Sequence, residues 1–384
     1  MLFAFGEFSF ILTSVMFPPK KILAIKLRSL GDTVLMTAPL VELRKAFPEA
    51  EIHVAVLSPW APLLQGHPAV DRVWGYDRHK DHTSRAKAVA RLAFKLRKEH
   101  FDCVVNFHAS PSSAMIAFAT GAKVRSIHFH GHKDKNRHST LVVPGKGVLK
   151  PIIERDMDAV RALGIQIPEG KLPSLSFRSE EKAWARDYVT KLGNGKPVLA
   201  LGLGASRPTK SWPVERYATL AVQWCRSQGG AAFGILTLAE DHLRIEFLKS
   251  VDHILSTTVS DPAERAGLRA RISVEARFQV RELASVLSAA SVFAGNDSGP
   301  KHVAVAAQTP TVTLFGPEHP FEWHPYPTAK HPYFFVENLA CRKDAAPGMP
   351  PWCSLDLCVQ EQHKCMRQIG TDAVLEKCLE VAQK

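Results

Sequence analysis

The stretch VFAGNDSGPKHVAVAAQTPTVTLF, from Val292 to Phe315, decides the fold of this chain. Apolar runs at its two ends predict strands over Val292–Ala294 and Thr311–Phe315, and the small residues between them predict a helix over Lys301–Ala307. A strand, a loop, a helix and a second strand in this order are typical of a parallel sheet with helices on its faces. The stretch therefore predicts an α/β fold.

The same alternation of apolar runs and amphipathic segments continues outward and divides the chain into two halves. Further strands are predicted over Ile22–Leu27, Ile52–Leu57, Val70–Gly75, Cys103–Phe107, Val124–Phe129, Val198–Leu201 and Ala232–Leu236. Further helices are predicted over Arg85–Lys98, Asp156–Leu163, Val214–Gln228, Asp241–Val251 and Val280–Ala289. Between the halves, Gly164–Phe177 holds proline and glycine with little periodicity, which predicts a linker.

We predict four segments: an N-terminal extension over 1–20, a first domain over 21–170, a second over 171–345, and a cysteine-containing segment with a helix over 346–384. Residues 1–17 are apolar, but Glu7 interrupts them, and the basic region and cleavage site of a signal peptide are missing. They predict a flexible or misassigned start, with an interfacial membrane anchor as the alternative.

Charge and cysteine content narrow the class of protein. A net charge of +12 favours anionic partners, among them nucleotides, nucleic acid and acidic membrane surfaces. Seven cysteines, an odd number, favour a reducing compartment over a disulfide framework. Four of them fall late, at Cys341, Cys353, Cys358 and Cys365. Their spacing lacks paired zinc knuckles, so ordinary thiols are predicted, with a zinc site as the alternative.

The segment Lys26–Asp32, KLRSLGD, lies between the first predicted strand and a helix predicted to begin near Thr33. Ligands collect at the carboxyl edge of an open parallel sheet, so Asp32 is a candidate catalytic residue. Its structural alternative is a helix cap or a first-turn acid. Lys26 and Arg28 are predicted to place positive charge beside it.

The segment Gly202–Pro213, GLGASRPTKSWP, also follows a strand. It nearly matches a P-loop through Gly204 and Lys210, but Thr209 replaces the second glycine, whose backbone cradles the phosphates. Lys210 can still bind phosphate as a point charge. A solvated lysine in a turn is the alternative.

The segment Gly295–His302, GNDSGPKH, opens a helix with Asp, Ser, Gly and Pro. Free backbone N–H groups and the positive end of the helix dipole predict an anion site there, with simple capping as the alternative. Glu240 lies at the same predicted edge. It is a candidate for hydrogen bonds to ribose hydroxyls, with a helix-dipole role as the alternative.

Together, Lys26–Asp32 and the run GNDSGPKHVAVAAQTPTVTLFGP, Gly295–Pro317, resemble the bacterial ADP-heptose:lipopolysaccharide heptosyltransferases of glycosyltransferase family 9 over residues 21–370. The letters KLR before the Gly-Asp pair resemble the heptosyltransferase III branch. The resemblance implies a GT-B architecture, in which two Rossmann-like domains face each other across a cleft. It also implies that 21–170 binds the acceptor, that 171–345 binds the nucleotide sugar, and that the final helix packs back on the N-terminal domain.

The resemblance implies roles for individual residues. Asp32 matches the catalytic base of an inverting displacement. Donor binding is implied for Ser206, Lys210, Glu240, Phe278, Asp297, Ser298, Gly299 and His302, and the acceptor or sugar side for Lys26, Arg28, Ser29 and Gly31. Neither a metal nor a cofactor is expected, because the donor-side groups would stabilise the charge on departing ADP.

The expected partners are ADP-heptose and a lipid A-linked core oligosaccharide, without nucleic acid. The expected location is cytoplasmic, peripheral to the inner membrane, whose anionic head groups attract basic surfaces. Three alternatives stay open: a nucleotide-sugar 2-epimerase with the same layout, a P-loop ATPase, and a basic nucleic-acid-binding protein.

Overall fold

The computed structural model describes residues 18–128, 136–143, 150–237, 240–341, 343–344, 351–353, 358 and 363–383. The strands are β1 Lys21–Lys26, β2 Glu51–Leu57, β3 Arg72–Tyr76, β4 Cys103–Asn106, β5 Val124–Ile127, β6 Val198–Gly202, β7 Ala231–Ile235, β8 Ile272–Glu275, β9 Val292–Asn296, β10 Thr311–Phe315, β11 Tyr333–Phe335, β12 Lys343–Asp344 and β13 Pro351–Trp352. The α-helices are α1 Leu30–Leu35, α2 Thr37–Ala46, α3 His82–Arg97, α4 Pro111–Ala119, α5 Ile152–Arg161, α6 Ser179–Gly193, α7 Val214–Gln228, α8 Asp241–Thr258, α9 Pro262–Ala270, α10 Val280–Ala289, α11 Gly299–Ala306, α12 Pro320–Trp323, α13 Lys364–Arg367 and α14 Thr371–Ala382.

The strands form two large parallel sheets, one from each half of the chain. Their orders are β3-β2-β1-β4-β5 and β11-β10-β9-β6-β7-β8. In the first sheet Ile22 lies opposite Ile52 and Cys103, and in the second Leu199 lies opposite Val292. Each order reverses between two central strands, β1 and β4 or β6 and β9, and ligands bind at such switch points. The predicted α/β class with two Rossmann-like halves is confirmed.

Several predicted element bounds differ from the observed ones. The edge strands β8 and β11 were not predicted, because their apolar runs are short and most of their residues are only partly buried. Helix α1 begins at Leu30 rather than near Thr33, since Ser29 caps it and accepts a hydrogen bond from the Asp32 amide at 3.4 Å. Asp32 is therefore a first-turn acid.

Helices cover both faces of the first sheet. Leu92 of α3 and Ile116 of α4 pack on one face, while Leu40 of α2 and Met157 of α5 pack on the other. This arrangement leaves the outer side of the α3 and α4 pair without a covering layer in the described part of the chain. It also directs the carboxyl ends of β1 and β4 toward the second sheet.

The final helix corrects one prediction. Val374, Cys378 and Val381 of α14 are buried in the core of the second sheet, together with Leu314 of β10. Their helical spacing forms one apolar face, and α7 with β9 and β10 covers it. The prediction that this helix packs back on the N-terminal domain is therefore wrong.

The remaining features concern the termini and the cysteines. Residues 1–17, which are predicted to be a flexible or misassigned start or an interfacial anchor, lie outside the described residues. Across the part of the chain that is described, no helix is long and apolar enough to cross a membrane. The thiols of Cys103, Cys225 and Cys378 are buried, and no three His, Cys, Asp or Glu side chains within the described ranges are placed to hold one metal ion.

Candidate functional site

A cleft of about 1820 Å³ lies between the two sheets. This volume exceeds that of a typical small-molecule pocket and leaves room for two substrates side by side. The predicted site residues that line it are Arg28, Ser29, Gly31, Asp32, Ser206, Lys210, Glu240, Phe278, Asp297, Ser298, Gly299 and His302. Residues far apart in the chain therefore meet because the switch points of both sheets open into one space.

The side of the cleft formed by residues of the first half of the chain is called the first-sheet wall, and the side formed by the second half is called the second-sheet wall. Asp32 lies on the first-sheet wall and is buried, with only 4% of its surface exposed. Its Oδ2 accepts a hydrogen bond from Ser29 Oγ at 2.6 Å. Its Oδ1 accepts none from the described residues, although Lys26 Nζ lies 3.8 Å away. One carboxylate oxygen is therefore held, and the other keeps its capacity to accept a hydrogen bond.

The charges around Asp32 keep it ionised. Burial by itself opposes the carboxylate, but the charges of Lys26 and Arg28 and the hydrogen bond from Ser29 outweigh burial and lower the pKa of Asp32 below its usual value. The Arg28 Nε atom lies 3.6 Å from Oδ2. The group is therefore available as a base at neutral pH.

Lys26 does not reach the cleft, contrary to its predicted place on the acceptor or sugar side. Only 1% of its surface is exposed, and its Nζ donates to both carboxylate oxygens of Asp156 at 2.7 and 2.8 Å. It acts on Asp32 only through its charge. The physical reason is the ion pair with Asp156, which the sequence patterns did not predict. Asp156 lies beside Met157 among the buried residues of α5.

The Asp156 carboxylate keeps the Lys26 ammonium off the free oxygen of Asp32. Burial raises the pKa of Asp156 to about 6, and the charge of Lys26 opposes this rise. As pH falls through about 6, Asp156 takes up a proton, and the ammonium is expected to turn toward Asp32 Oδ1. We therefore predict that kcat falls below about pH 6, although the pKa of Asp32 itself is lower. In Asp156→Asn this acid limb should vanish and kcat at neutral pH should fall by about 10-fold.

A pH profile of kcat at saturating substrate measures this effect. Asp158→Asn is the matched control, because Asp158 is a buried acid of the same helix that pairs with Lys150 and Arg161 instead. Thermal unfolding of both variants reports loss of fold separately. An acid limb near pH 6 that persists in Asp156→Asn would contradict the prediction.

The first-sheet wall holds further residues that the sequence patterns did not identify. They are Trp60, Tyr76, Arg78, Arg85, His108 and Ser110. Burial, followed by the charges of Arg28 and Lys26, lowers the pKa of His108 to about 4, so its ring is neutral at pH 7. His108 lies two residues after the end of β4, and this position at the carboxyl end of a strand was the signal available in the sequence.

The second-sheet wall is organised around Asp297. Its Oδ2 accepts from Lys210 Nζ at 2.9 Å and its Oδ1 from the buried Lys301 Nζ at 2.6 Å. Burial opposes the charge of Asp297, but the two lysines outweigh it and hold its pKa well below the usual range. Both carboxylate oxygens are occupied, so Asp297 positions Lys210 at the cleft. Glu318 Oε1 lies 3.8 Å from the Lys210 ammonium.

Helix α11 begins beside Lys210. Ser298 is its N-cap residue, and the Ser298 hydroxyl is buried without a hydrogen-bond partner among the described residues. The first helical residues are Gly299 and Pro300. An ammonium, a free hydroxyl and the positive end of a helix thus converge on one part of the cleft, which is suited to an anion.

Glu240 and Phe278 lie farther along this wall. Glu240 Oε2 accepts from the Thr237 amide at 2.9 Å and from the Thr237 hydroxyl at 2.7 Å. A Cβ at Gly204 would lie 2.2 Å from Glu240 Oε1, so a side chain there would displace the Glu240 carboxylate. Phe278 packs edge-on against Tyr188, with ring centroids 5.6 Å apart. Ser206 is exposed in the loop that follows β6.

Two glycines allow the two halves of the molecule to touch. A Cβ at Gly31 would lie 2.7 Å from His302 Cδ2, and one at Gly299 would lie 3.0 Å from Leu30 Cβ. His302 is buried and its Nδ1 is hydrogen-bonded to the Tyr326 hydroxyl. These contacts join the first turns of α1 and α11, so they set the spacing between the two walls.

Gly31→Ala should therefore widen the cleft. The new methyl group must displace the His302 ring, which moves Asp32 away from the opposite wall. We expect kcat/KM to fall by about 100-fold, because small misplacements of reacting groups are costly, while the thermal unfolding temperature changes little.

Gly267→Ala is the control, since a Cβ there meets nothing within 4 Å. Steady-state kinetics and thermal unfolding of the two variants give the comparison. Full activity in Gly31→Ala would show that the spacing of the walls does not depend on this contact.

Comparisons with known proteins relate this chain to one group. The model of glycosyltransferase family 9 (heptosyltransferase) matches residues 89–346, well over half of the chain. Lipopolysaccharide heptosyltransferase 3 from Escherichia coli is 23% identical over 300 residues, which cover 77% of this chain and 83% of that protein. Two solved structures share the fold. The family 9 glycosyl transferase from Veillonella parvula has a TM-score of 0.70 at 20% identity, covering 95% of this chain and 97% of that one. The E. coli ADP-heptose lps heptosyltransferase II has a TM-score of 0.69 at 20% identity, covering 94% and 98%.

Proposed function

Because the chain belongs to glycosyltransferase family 9 and is a glycosyltransferase, we propose that it transfers L-glycero-D-manno-heptose from ADP-heptose to the lipopolysaccharide inner core with inversion. The E. coli relative is named for ADP-heptose, which supports the same donor here. Membership of this family does not favour the epimerase, the P-loop ATPase or the nucleic-acid-binding protein. The observation that carries the proposal is the free, buried Oδ1 of Asp32 in a cleft whose other wall offers an anion site.

Asp32 is the proposed catalytic base. Its Oδ1 takes the proton from the acceptor hydroxyl as that oxygen attacks the anomeric carbon of the heptose. The bond from the anomeric carbon to the ADP oxygen breaks in the same displacement, so the configuration inverts. Ser29 holds the other carboxylate oxygen, and the charge of Lys26, 3.8 Å from Oδ1, helps to keep the carboxylate ionised.

The second-sheet wall is proposed to bind the donor and to stabilise the leaving group. Lys210, the Ser298 hydroxyl and the N-terminus of α11 would contact the diphosphate, on which negative charge develops. Asp297 would act through Lys210. Glu240 would accept hydrogen bonds from the ribose, and Phe278 would pack on adenine. These groups perform the task of a metal ion, so we propose a reaction without metal or cofactor.

The acceptor is proposed to bind along the first-sheet wall. Arg28, Arg78 and Arg85 give this wall positive charge, which suits an acidic core oligosaccharide linked to lipid A. A lipid-linked acceptor requires the enzyme to work at a bilayer. We therefore propose a cytoplasmic enzyme, peripheral to the inner membrane, and the net charge of +12 supports attraction to anionic lipids.

Calorimetric titration with ADP, UDP and ATP, each with and without EDTA, tests the proposal. We expect ADP to bind equally well in both conditions and UDP to bind more weakly, because the proposed adenine contact is lost. Preference for UDP would contradict the donor. Binding of ATP that requires magnesium would instead favour the P-loop ATPase.

A further inference from the structure

We propose that the outer face of helices α3 and α4 docks on an anionic phospholipid surface, a proposal that rests on transfer to a lipid-linked acceptor. We define this docking face by the apolar residues Phe94, Met115 and Phe118 and the cations Arg91, Lys95 and Lys98.

Large apolar side chains point away from the core on both helices. Their exposed fractions are 62% for Phe94, 45% for Met115 and 50% for Phe118. The opposite sides of the same helices are buried, as Leu96 and Ile116 show. Arg97 Nη1 donates to the Ala119 carbonyl at 3.2 Å, which joins the ends of the two helices at one level. The exposed apolar groups therefore lie near the C-terminal ends of two neighbouring helices.

The charge of this side has a single sign. Residues 82–98 contain six Lys and Arg and no Asp or Glu, and residues 103–133 contain no acid either. The Lys98 ammonium lies 4.4 Å from the Phe94 ring centre, and the Arg125 guanidinium lies 5.6 Å from that of Phe118. Long cationic side chains beside apolar groups are typical of surfaces that bind at the interface of an anionic bilayer.

The helices that carry the docking face near their C-terminal ends reach the acceptor side of the cleft at their N-terminal ends. Arg85 in the first turn of α3 and Ser110 with Pro111 at the start of α4 line that cleft. The same two helices therefore extend from the proposed acceptor wall to the proposed membrane contact. A lipid-linked acceptor could reach Asp32 while its acyl chains stay in the bilayer.

Sedimentation of the full chain with vesicles tests this face without donor or acceptor. We expect binding to phosphatidylcholine vesicles that contain phosphatidylglycerol and little binding to phosphatidylcholine alone. Phe94→Gln combined with Phe118→Gln should weaken binding by about 10-fold. Arg91→Gln, Lys95→Gln and Lys98→Gln together should weaken it roughly 100-fold.

Matched controls lie on the other half of the molecule. Ile245→Gln changes an apolar residue that is 47% exposed on α8, and Lys182→Gln with Arg186→Gln and Lys196→Gln removes the same charge from an exposed region. Both controls should bind vesicles as the unchanged protein does. Equal losses in the controls, or no difference between the two vesicle types, would overturn the proposal.

Activity assays separate this inference from the proposed reaction. The docking-face variants should retain ADP binding and transfer to a delipidated, soluble acceptor, while transfer to the same acceptor in vesicles falls with vesicle binding. Vesicle binding without heptose transfer to either acceptor would contradict only the proposed reaction. Loss of activity in cells with unchanged vesicle binding would indicate a protein partner and overturn the membrane assignment.

Discussion

Replacing Asp32 with Asn should lower kcat by about 10²- to 10⁴-fold and leave ADP affinity near its original value. The amide keeps the shape of the side chain and can still accept the Ser29 hydrogen bond, but it cannot take the acceptor proton. The proposed donor contacts lie on the opposite wall of the cleft, so nucleotide binding should not need the carboxylate. Steady-state kinetics and calorimetric titration with ADP measure the two effects separately.

Asp187→Asn is the control for this substitution, because Asp187 is exposed and pairs only with Lys191 among the ion pairs described. It should behave as the unchanged protein does. Residual activity of Asp32→Asn within a factor of about ten would remove Asp32 from the role of base, since general bases contribute more. A large loss of ADP binding would instead place Asp32 on the donor side.

Replacing Lys210 with Ala should weaken ADP binding by about 10- to 100-fold, the effect of losing one charged hydrogen bond to a phosphate. It should also lower kcat, because the charge on departing ADP loses a stabilising group. Asp297 keeps its pair with Lys301, which limits damage to the fold. Adenosine has no phosphate, so its affinity should not change.

Calorimetry with ADP and adenosine on each variant gives this contrast. Glu240→Gln is the counterpart, since it should weaken both ligands through the ribose. Lys182→Ala, at an exposed position of α6, is the control for loss of a lysine. If Asp32→Asn and Lys210→Ala lost ADP binding equally, the proposed division between base and phosphate ligand would be wrong.

Local patterns predicted much of the architecture and of the site. Strands β1, β6, β9 and β10 are continuous apolar runs, as fully buried parallel strands are, and glycine with polar residues follows the first three of them. Because parallel strands end at a common edge, the order of strand and loop predicted that each loop lies at the ligand-binding edge of its sheet, while the resemblance implied that the two edges face one cleft. Asp32 and Lys210 were found in this way.

Contacts between distant residues were not predictable in the same way. Lys26 lies two residues from Arg28 in a segment that was predicted to bind ligand. Its ammonium is instead paired with Asp156, which is 130 residues away in the chain. Likewise the apolar face of α14 fits α7, although its pattern does not distinguish one sheet from the other. The partner of a buried charge and the sheet on which a helix packs depend on contacts between residues that are distant in the chain.

The sequence by itself determined the α/β class, the two halves, the family, and the loops that carry Asp32 and Lys210. These follow from periodicity and from residues close together in the chain. Only the tertiary structure decided that Lys26 is a buried charge behind Asp32, that Asp297 holds Lys210, and that Gly31 meets His302. The reason is physical: a side chain's burial, pKa and free hydrogen-bonding atoms are set by neighbours that long-range packing brings to it.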